Sequence, residues 1–130
     1  MANILTPFDE SLRARLLQRG WGPVPRSQSL VLANVANGVT RASRIAENLG
    51  VSRQAMSQLL AEMAEKELIV MAPDPQDRRA QLVDFAPAGA AIREDAQQIL
   101  RDLETEMEKA IGAPAMETLR SALGRFPGGL

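Results

Sequence analysis

The chain has 130 residues and a net charge of −1, and it contains no cysteine, no histidine and no tyrosine. This length suits one domain with a hydrophobic core of its own. Without cysteine or histidine, disulfides, thiol redox chemistry and the usual nucleophile–base pairs are excluded, and a transition-metal site has no thiolate or imidazole ligands. We therefore expect no enzyme, no cofactor and no metal. The sequence holds neither a basic leader nor a run of about 18 apolar residues, so we expect a cytoplasmic protein without a membrane partner.

Apolar residues at helical spacing predict four helices in the first half of the chain. Asn37 and Gly38 end the second helix, and Gly50 ends the third. Thr40 and Ser52 supply the side-chain oxygens that cap the third and fourth helices. The predicted ranges are Pro7–Arg19, Pro25–Asn37, Arg41–Leu49 and Arg53–Glu67.

A hairpin and two more helices are predicted in the second half. Leu68–Ala72 has the pattern of a short strand, and Ala80–Ala86 that of its partner, with Leu82 and Phe85 as candidates for burial. The turn Pro73–Asp77 joins the strands, because Pro and Asp favour turn backbone. The two helices that follow cover Pro87–Ile111 and Ala113–Leu123.

The segment from Ala42 to Leu60 has the spacing of two short helices that cross tightly. Gly50 can take the positive φ that the turn between them needs. Ala46, four residues earlier, is small enough for the crossing point. The apolar residues expected to fill the wedge between the helices are Ile45, Leu49, Val51, Met56 and Leu59.

The second helix of this pair presents short polar or forked side chains at its start. Such side chains reach base edges or phosphates in a major groove. Arg53–Gln58 contains neither Glu nor Lys, which a merely solvated face usually carries, although any two helices joined by a glycine remain the alternative. The candidate DNA-binding residues of this helix are Ser52, Arg53, Gln54, Ser57 and Gln58.

The predicted turn places two arginines, Arg78 and Arg79, beside two carboxylates, Asp74 and Asp77. An arginine on a hairpin tip can enter a narrow minor groove, where the potential is most negative, and a neighbouring carboxylate can hold it in position. The alternative is a solvated turn with a weak surface ion pair. As a catalytic pair the two carboxylates are unsuited, because at the tip both are expected to be too exposed for the pKa shift that catalysis needs.

These segments in this order resemble the MarR family of bacterial and archaeal winged-helix regulators. The resemblance lies in Ala42–Gln54, Leu68–Val70 and Asp74–Arg79, within roughly residues 23–110. It implies a mostly α fold with a small β-hairpin wing, a winged helix-turn-helix with N- and C-terminal dimerisation helices. The implied organisation is one domain over residues 1–130, with the DNA-binding lobe over 25–86 and the dimerisation lobe over 1–22 and 87–130.

The resemblance also implies roles and partners. Asp77 and Arg79 match the family's Asp-x-Arg wing motif, in which the arginine reaches the minor groove and the aspartate orients the wing. Arg53–Gln58 matches the recognition helix. The implied partners are double-stranded DNA and a second copy of the chain, as a homodimeric repressor on a pseudo-palindromic operator. Effectors of the family often bind between the dimer helices and the DNA-binding lobe, so a small-molecule effector is an open option.

The sequence departs from the family at a few positions. The family's Leu-Thr before the wing-closing glycine is Phe85-Ala86 here, with Gly89 kept. The family's threonine cap of the second helix is Val24, and the N-terminal segment is shorter than usual.

Other interpretations stay open. Winged helices also serve as protein-docking domains, and residues 40–80 carry a net charge of 0, which permits an interaction module without DNA binding. Trp21 could line a pocket under the dimer interface or anchor the core. The apolar stripe from Ile92 to Ile111 fits core or dimer seam better than an effector site.

Overall fold

The computed structural model describes residues 6–125, and the side chains of residues 10–125. The outermost parts of the expected dimerisation lobe, residues 1–5 and 126–130, lie outside the described residues. The expected fold class, mostly α with one antiparallel hairpin, is confirmed. The elements are α1 (Thr6–Gln18), α2 (Arg26–Ala36), α3 (Ala42–Leu49), α4 (Arg53–Glu65), β1 (Ile69–Asp74), β2 (Asp77–Phe85), α5 (Pro87–Ile111) and α6 (Ala113–Gly124).

Two of the predicted helix signals act as expected and one does not. The Ser52 hydroxyl accepts the Ala55 N–H at 3.1 Å and so caps α4. Gly50 ends α3 in the left-handed region, with φ of 69°. The prediction that Thr40 caps α3 is wrong, because the N-cap is Arg41 and no side chain caps this helix. The carbonyl oxygen of Thr40 instead accepts the Val83 N–H of β2 at 2.8 Å.

Four helices in the described part of the chain end in the same motif, in which the last turn is closed by two backbone hydrogen bonds around a left-handed residue. In three of them that residue is a glycine: Gly20, Gly38 or Gly50. At the end of α4 it is Glu67, with φ of 59°. The Glu67 N–H donates to Ala64 and the Leu68 N–H to Met63. This early turn explains why α4 ends at Glu65 rather than at the predicted Glu67.

The hairpin is longer than predicted and its turn is shorter. The strands pair in regular antiparallel register from Ile69 opposite Phe85 to Pro73 opposite Gln81, and then shift so that Asp74 lies opposite Asp77. Residues 78–80 are left in a bulge of β2 without a partner in β1. Pro73 has no N–H to donate to the ladder, which accounts for the break at this position.

The core draws on every element from α1 to α6. Within β2, Leu82 and Phe85 are only half-buried, and the residue sealed in the core is Val83, which is 1% exposed. The expectation that Val51 fills the wedge between α3 and α4 is wrong, since it is 39% exposed. Ile45 and Met56 are buried there as expected.

The start of α5 lies against the backbone that leaves α4. The Ala86 N–H donates to the carbonyl oxygen of Leu68 at 3.0 Å. A Cβ at Gly89 would collide with the same carbonyl oxygen. The glycine is therefore required by the close approach of α5 to the backbone between α4 and β1.

Polar contacts join α1 to α5. Arg15 pairs with Glu106 at 2.7 Å, and Arg19 with Asp95 at 3.2 Å. The indole N–H of Trp21 donates to Asp95 at 2.7 Å, and its ring packs on the core, as the anchoring interpretation requires. None of the helices within residues 6–125 is both long and apolar enough to cross a membrane.

Candidate nucleic-acid interface

α3 and the turn at Gly50 pack against one side of α4 and leave the polar side chains at its start exposed. Ala46 and Met56 are buried where the two helices cross. The left-handed backbone at Gly50 lets the chain reverse direction within two residues. All five predicted α4 residues are exposed: Ser52, Arg53, Gln54, Ser57 and Gln58.

The two wing arginines lie on the bulge of β2. Arg78 and Arg79 are both exposed. The Arg79 N–H donates to the carboxylate of Asp77 at 3.1 Å, so Asp77 fixes the backbone of the bulge. Since the bulge residues have no cross-strand partners, this contact takes the place of a ladder hydrogen bond.

A groove of about 670 Å³ separates α4 from the wing. Within the described residues it is lined by three arginines, Arg41, Arg53 and Arg79, and by one carboxylate, Asp77. Ser57 also lies on its wall. The groove thus brings together four of the predicted site residues. The other four, Ser52, Gln54, Gln58 and Arg78, are exposed but do not line it.

Two features of the groove were not predicted from the sequence: the presence of Arg41 and the role of Asp74. The Arg41 guanidinium donates to the Asp74 carboxylate at 2.8 Å, and the Gln76 N–H donates to the same carboxylate at 2.9 Å. The expectation that both turn carboxylates are exposed is wrong for Asp74, which is 8% exposed. The hydrogen bond from Arg41, followed by that from Gln76, lowers the pKa of Asp74 below its ordinary value. The turn sequence signals the Gln76 contact, but nothing local signals a partner 33 residues away.

This ion pair has an electrostatic consequence for the groove. The Arg41 guanidinium donates a hydrogen bond to Asp74, and this contact raises the pKa of Arg41 above its ordinary value. Arg53 and Arg79 carry no such side-chain partner among the described contacts and face the groove openly. A polyanion lying in the groove would therefore meet Arg53 on one wall and Arg79 on the other.

Residues 23–80 match the sequence model of the MarR family. Among solved structures, the chain is similar to a mutant MarR from E. coli complexed with operator DNA, at 22% identity and a TM-score of 0.67, over 95% of this chain and 98% of that one. It is similar to a MepR mutant from S. aureus at 19% identity and a TM-score of 0.71, over 94% and 89% of the two chains. A transcriptional regulator from Thermotoga maritima is 18% identical, with a TM-score of 0.66, over 92% and 84%. No curated protein sequence matches the chain.

At these identities the solved structures establish a shared fold, which extends over more than nine-tenths of this chain. The family match adds a sequence relationship over α2, α3, α4 and the wing up to its arginines. Both the fold class and the resemblance derived from the sequence are therefore confirmed. Over residues 23–80, which hold the winged helix-turn-helix, the chain is therefore similar in sequence to the MarR family.

Proposed function

We propose that this chain is a DNA-binding transcription regulator, a repressor that acts as a homodimer on a pseudo-palindromic operator. The observation that carries the proposal is the groove between α4 and the wing, with Arg53 and Arg79 on its two walls. A helix that enters a major groove and a wing that enters the adjacent minor groove must straddle one sugar-phosphate strand. Two arginines facing each other across a groove suit that strand.

The α4 residues then divide by their position. Arg53, Gln54 and Gln58 reach base edges or phosphates in the major groove, where Arg and Gln make bidentate contacts with guanine and adenine. Ser52 and Ser57 are short donors suited to phosphate. Arg78 and Arg79 act at the minor groove, with Asp77 orienting the wing. The solved complex of a mutant E. coli MarR with operator DNA, which has the same fold, supports this use of the fold.

The dimer is proposed from the apolar surface of the terminal helices. Leu17 of α1, Ile111 of α5 and Leu123 of α6 are large apolar side chains, 50%, 46% and 37% exposed. Residues 1–22 and 87–130 form the dimerisation lobe in this proposal, and residues 25–86 the DNA-binding lobe. A two-fold dimer sets its recognition helices about 34–36 Å apart, one turn of DNA, which requires a pseudo-palindromic operator. A small-molecule effector bound between the lobes would release the operator.

Gel shifts on DNA from upstream of the chain's own gene, at two salt concentrations, test DNA binding. We expect a discrete complex that weakens as salt rises, because phosphate contacts release counterions. Random DNA of equal length is the control for specificity. If neither DNA shifts at either salt concentration, the proposal fails and the protein-docking module takes its place.

Sedimentation at micromolar protein concentration tests the dimer. The expected mass is twice the 14.1 kDa of the chain. Footprinting should show two half-sites related by two-fold symmetry. A clean monomer, or a single asymmetric half-site, would contradict the homodimer.

A further inference from the structure

The hairpin is attached at two points to the short segment that leads into α3. Midway along β2, the Val83 N–H donates to the Thr40 carbonyl oxygen at 2.8 Å, and Arg41 forms a bridge with Leu82. At its tip, the Arg41 guanidinium donates to Asp74 at 2.8 Å. Arg41 therefore contacts the hairpin with its backbone at one point and with its side chain at the other.

The bulge that carries the arginines lies between these two points of attachment. Residues 78–80 have no partner in β1, so the ladder does not fix their position. Asp77 and the turn lie on one side of the bulge, next to Asp74, and Leu82 lies on the other. The position of Arg79 relative to α4 therefore depends on whether the tip is held as well as the middle of the hairpin.

Three features make the tip contact an anchor rather than an incidental surface pair. Asp74 is buried, and its side chain is 11% exposed against 48% for Arg41. The carboxylate accepts the Gln76 N–H of the turn as well as the guanidinium, so the ion pair and the turn share one group. Arg41 is the N-cap of α3, which packs on α4 through the buried Ala46. The contact thus links the wing tip to the pair of helices that carries Arg53.

We propose that the Arg41–Asp74 ion pair sets the position of the wing arginines relative to α4, so that both residues are positioning residues for DNA binding. The inference rests on the proposed function for its DNA-binding consequence. It assigns Arg41 an action through the wing rather than through a phosphate of its own. It also gives a structural role to an acidic residue, Asp74, beside the groove that is proposed to bind DNA.

The variant Asp74→Asn decides between position and charge. Asparagine can still accept the Gln76 N–H, because Asn and Asp both form this kind of turn. The substitution removes one negative charge beside the groove, so charge alone would tighten DNA binding. Loss of the anchor instead predicts weaker DNA binding. We expect operator affinity to fall by about fivefold, the upper range for one exposed ion pair.

Two matched controls separate the anchor from the net charge. Asp84→Asn makes the same charge change in the partner strand β2, at a carboxylate that accepts the neighbouring Phe85 N–H. Arg44→Ala makes the same charge change as Arg41→Ala, within the helix that Arg41 precedes as N-cap, at a side chain that is 68% exposed. We expect Arg41→Ala to match Asp74→Asn and both controls to stay within about twofold of the parent. Equal or tighter binding by Asp74→Asn would overturn the proposal.

Substitutions that keep or remove the charge of Arg41 distinguish loss of the ion pair from a general loss of stability. Arg41→Lys keeps a cation that can pair with Asp74, and should bind within about twofold of the parent. Arg41→Gln keeps length and polarity without the charge, and should behave like Arg41→Ala. Thermal unfolding of all six variants checks that they are folded. If Lys and Gln are equally impaired, the ion pair is not the positioning contact.

Amide hydrogen exchange in the protein without DNA tests whether the ion pair holds the wing, independently of the proposed DNA binding. Asp74→Asn should accelerate exchange at the Arg79 amide, while the Ala55 amide, capped by Ser52 in α4, stays unchanged. If the parent protein binds no DNA, the proposed function fails, and this exchange still decides whether the pair holds the wing. If exchange in residues 74–81 is unchanged in Asp74→Asn, the anchor is overturned whatever the DNA result.

Discussion

Arg79 donates its backbone N–H to the carboxylate of Asp77 at 3.1 Å, two residues earlier in the same strand. The Asp-x-Arg sequence therefore closes on itself, and the aspartate holds the backbone while the guanidinium stays exposed. This arrangement separates a structural task from a binding task within one tripeptide. The first two predictions test that separation.

Arg79→Ala should lower affinity for operator and random DNA alike, because a minor-groove contact reads charge and groove width. The plot of log affinity against log salt should become shallower by about one counterion. Titrations at three salt concentrations measure both effects. Arg120→Ala is the matched control, since it removes an arginine from α6, where Arg120 pairs with Glu104. Parent-like binding by Arg79→Ala on both DNAs would show that the wing is not a DNA contact.

Asp77→Ala should be a weaker version of Arg79→Ala. It frees the bulge without removing the guanidinium, so affinity falls while the salt slope stays close to that of the parent. The same titrations measure this difference. A slope that drops as far as in Arg79→Ala would mean that the aspartate does more than hold the backbone.

Arg53→Ala should act mostly on the operator. Arg53 lies at the first residue of α4, on the wall of the groove opposite Arg79. If it contacts a base edge, the loss on the cognate site is about 1–3 kcal/mol, with little change on random DNA. Comparing the two DNAs at one salt concentration gives the answer. A loss that is equal on both would assign Arg53 to phosphate instead.

Gly89→Ala should destabilise the fold, because the new Cβ would meet the backbone carbonyl of Leu68 rather than a side chain that can move. We expect a loss of about 2–3 kcal/mol in the free energy of unfolding. Urea unfolding measures it. Gly22→Ala is the control, since nothing lies within 4 Å of a Cβ there. A Gly89→Ala variant as stable as Gly22→Ala would contradict the close approach.

Glu67→Gly should stabilise the fold. Glu67 occupies the left-handed position that glycine fills at the ends of α1, α2 and α3. Relief of that backbone should raise the free energy of unfolding by about 1 kcal/mol. Glu67→Ala is the control, because it removes the side chain and keeps the strained φ. If alanine stabilises as much as glycine, the side chain rather than the backbone is responsible.

Local signals account for what the sequence predicted well. Ser52 caps the start of α4 and Gly50 ends α3, and both act only on backbone within a few residues in the sequence. The two helix boundaries are therefore where the sequence predicted them. Because α4 is amphipathic, the exposure of its polar residues follows from the burial of Met56, Leu60 and Met63. The polar face of the candidate interface was therefore predictable without knowledge of the rest of the fold.

Features that depend on distant pairing were not predictable in this way. Thr40 has the side chain of a helix cap, but its backbone is drawn into the sheet by Val83. Asp74 looks like an exposed turn residue until Arg41 is brought beside it. The turn was predicted too long because Pro73 and Pro75 both signal a break, whereas only the second lies in the turn. In each case the missing information was which remote segment lies alongside.

The contact between Trp21 and Asp95 has a practical consequence. Trp21 is the single tryptophan of a chain without tyrosine, so its near-ultraviolet fluorescence comes from one indole. That indole sits just after α1 and donates to the middle of α5. Any rearrangement that pulls these two helices apart breaks the hydrogen bond and wets the ring, which shifts the emission to longer wavelength. The fluorescence of the unlabelled protein thus reports on the packing of the end of α1 against α5.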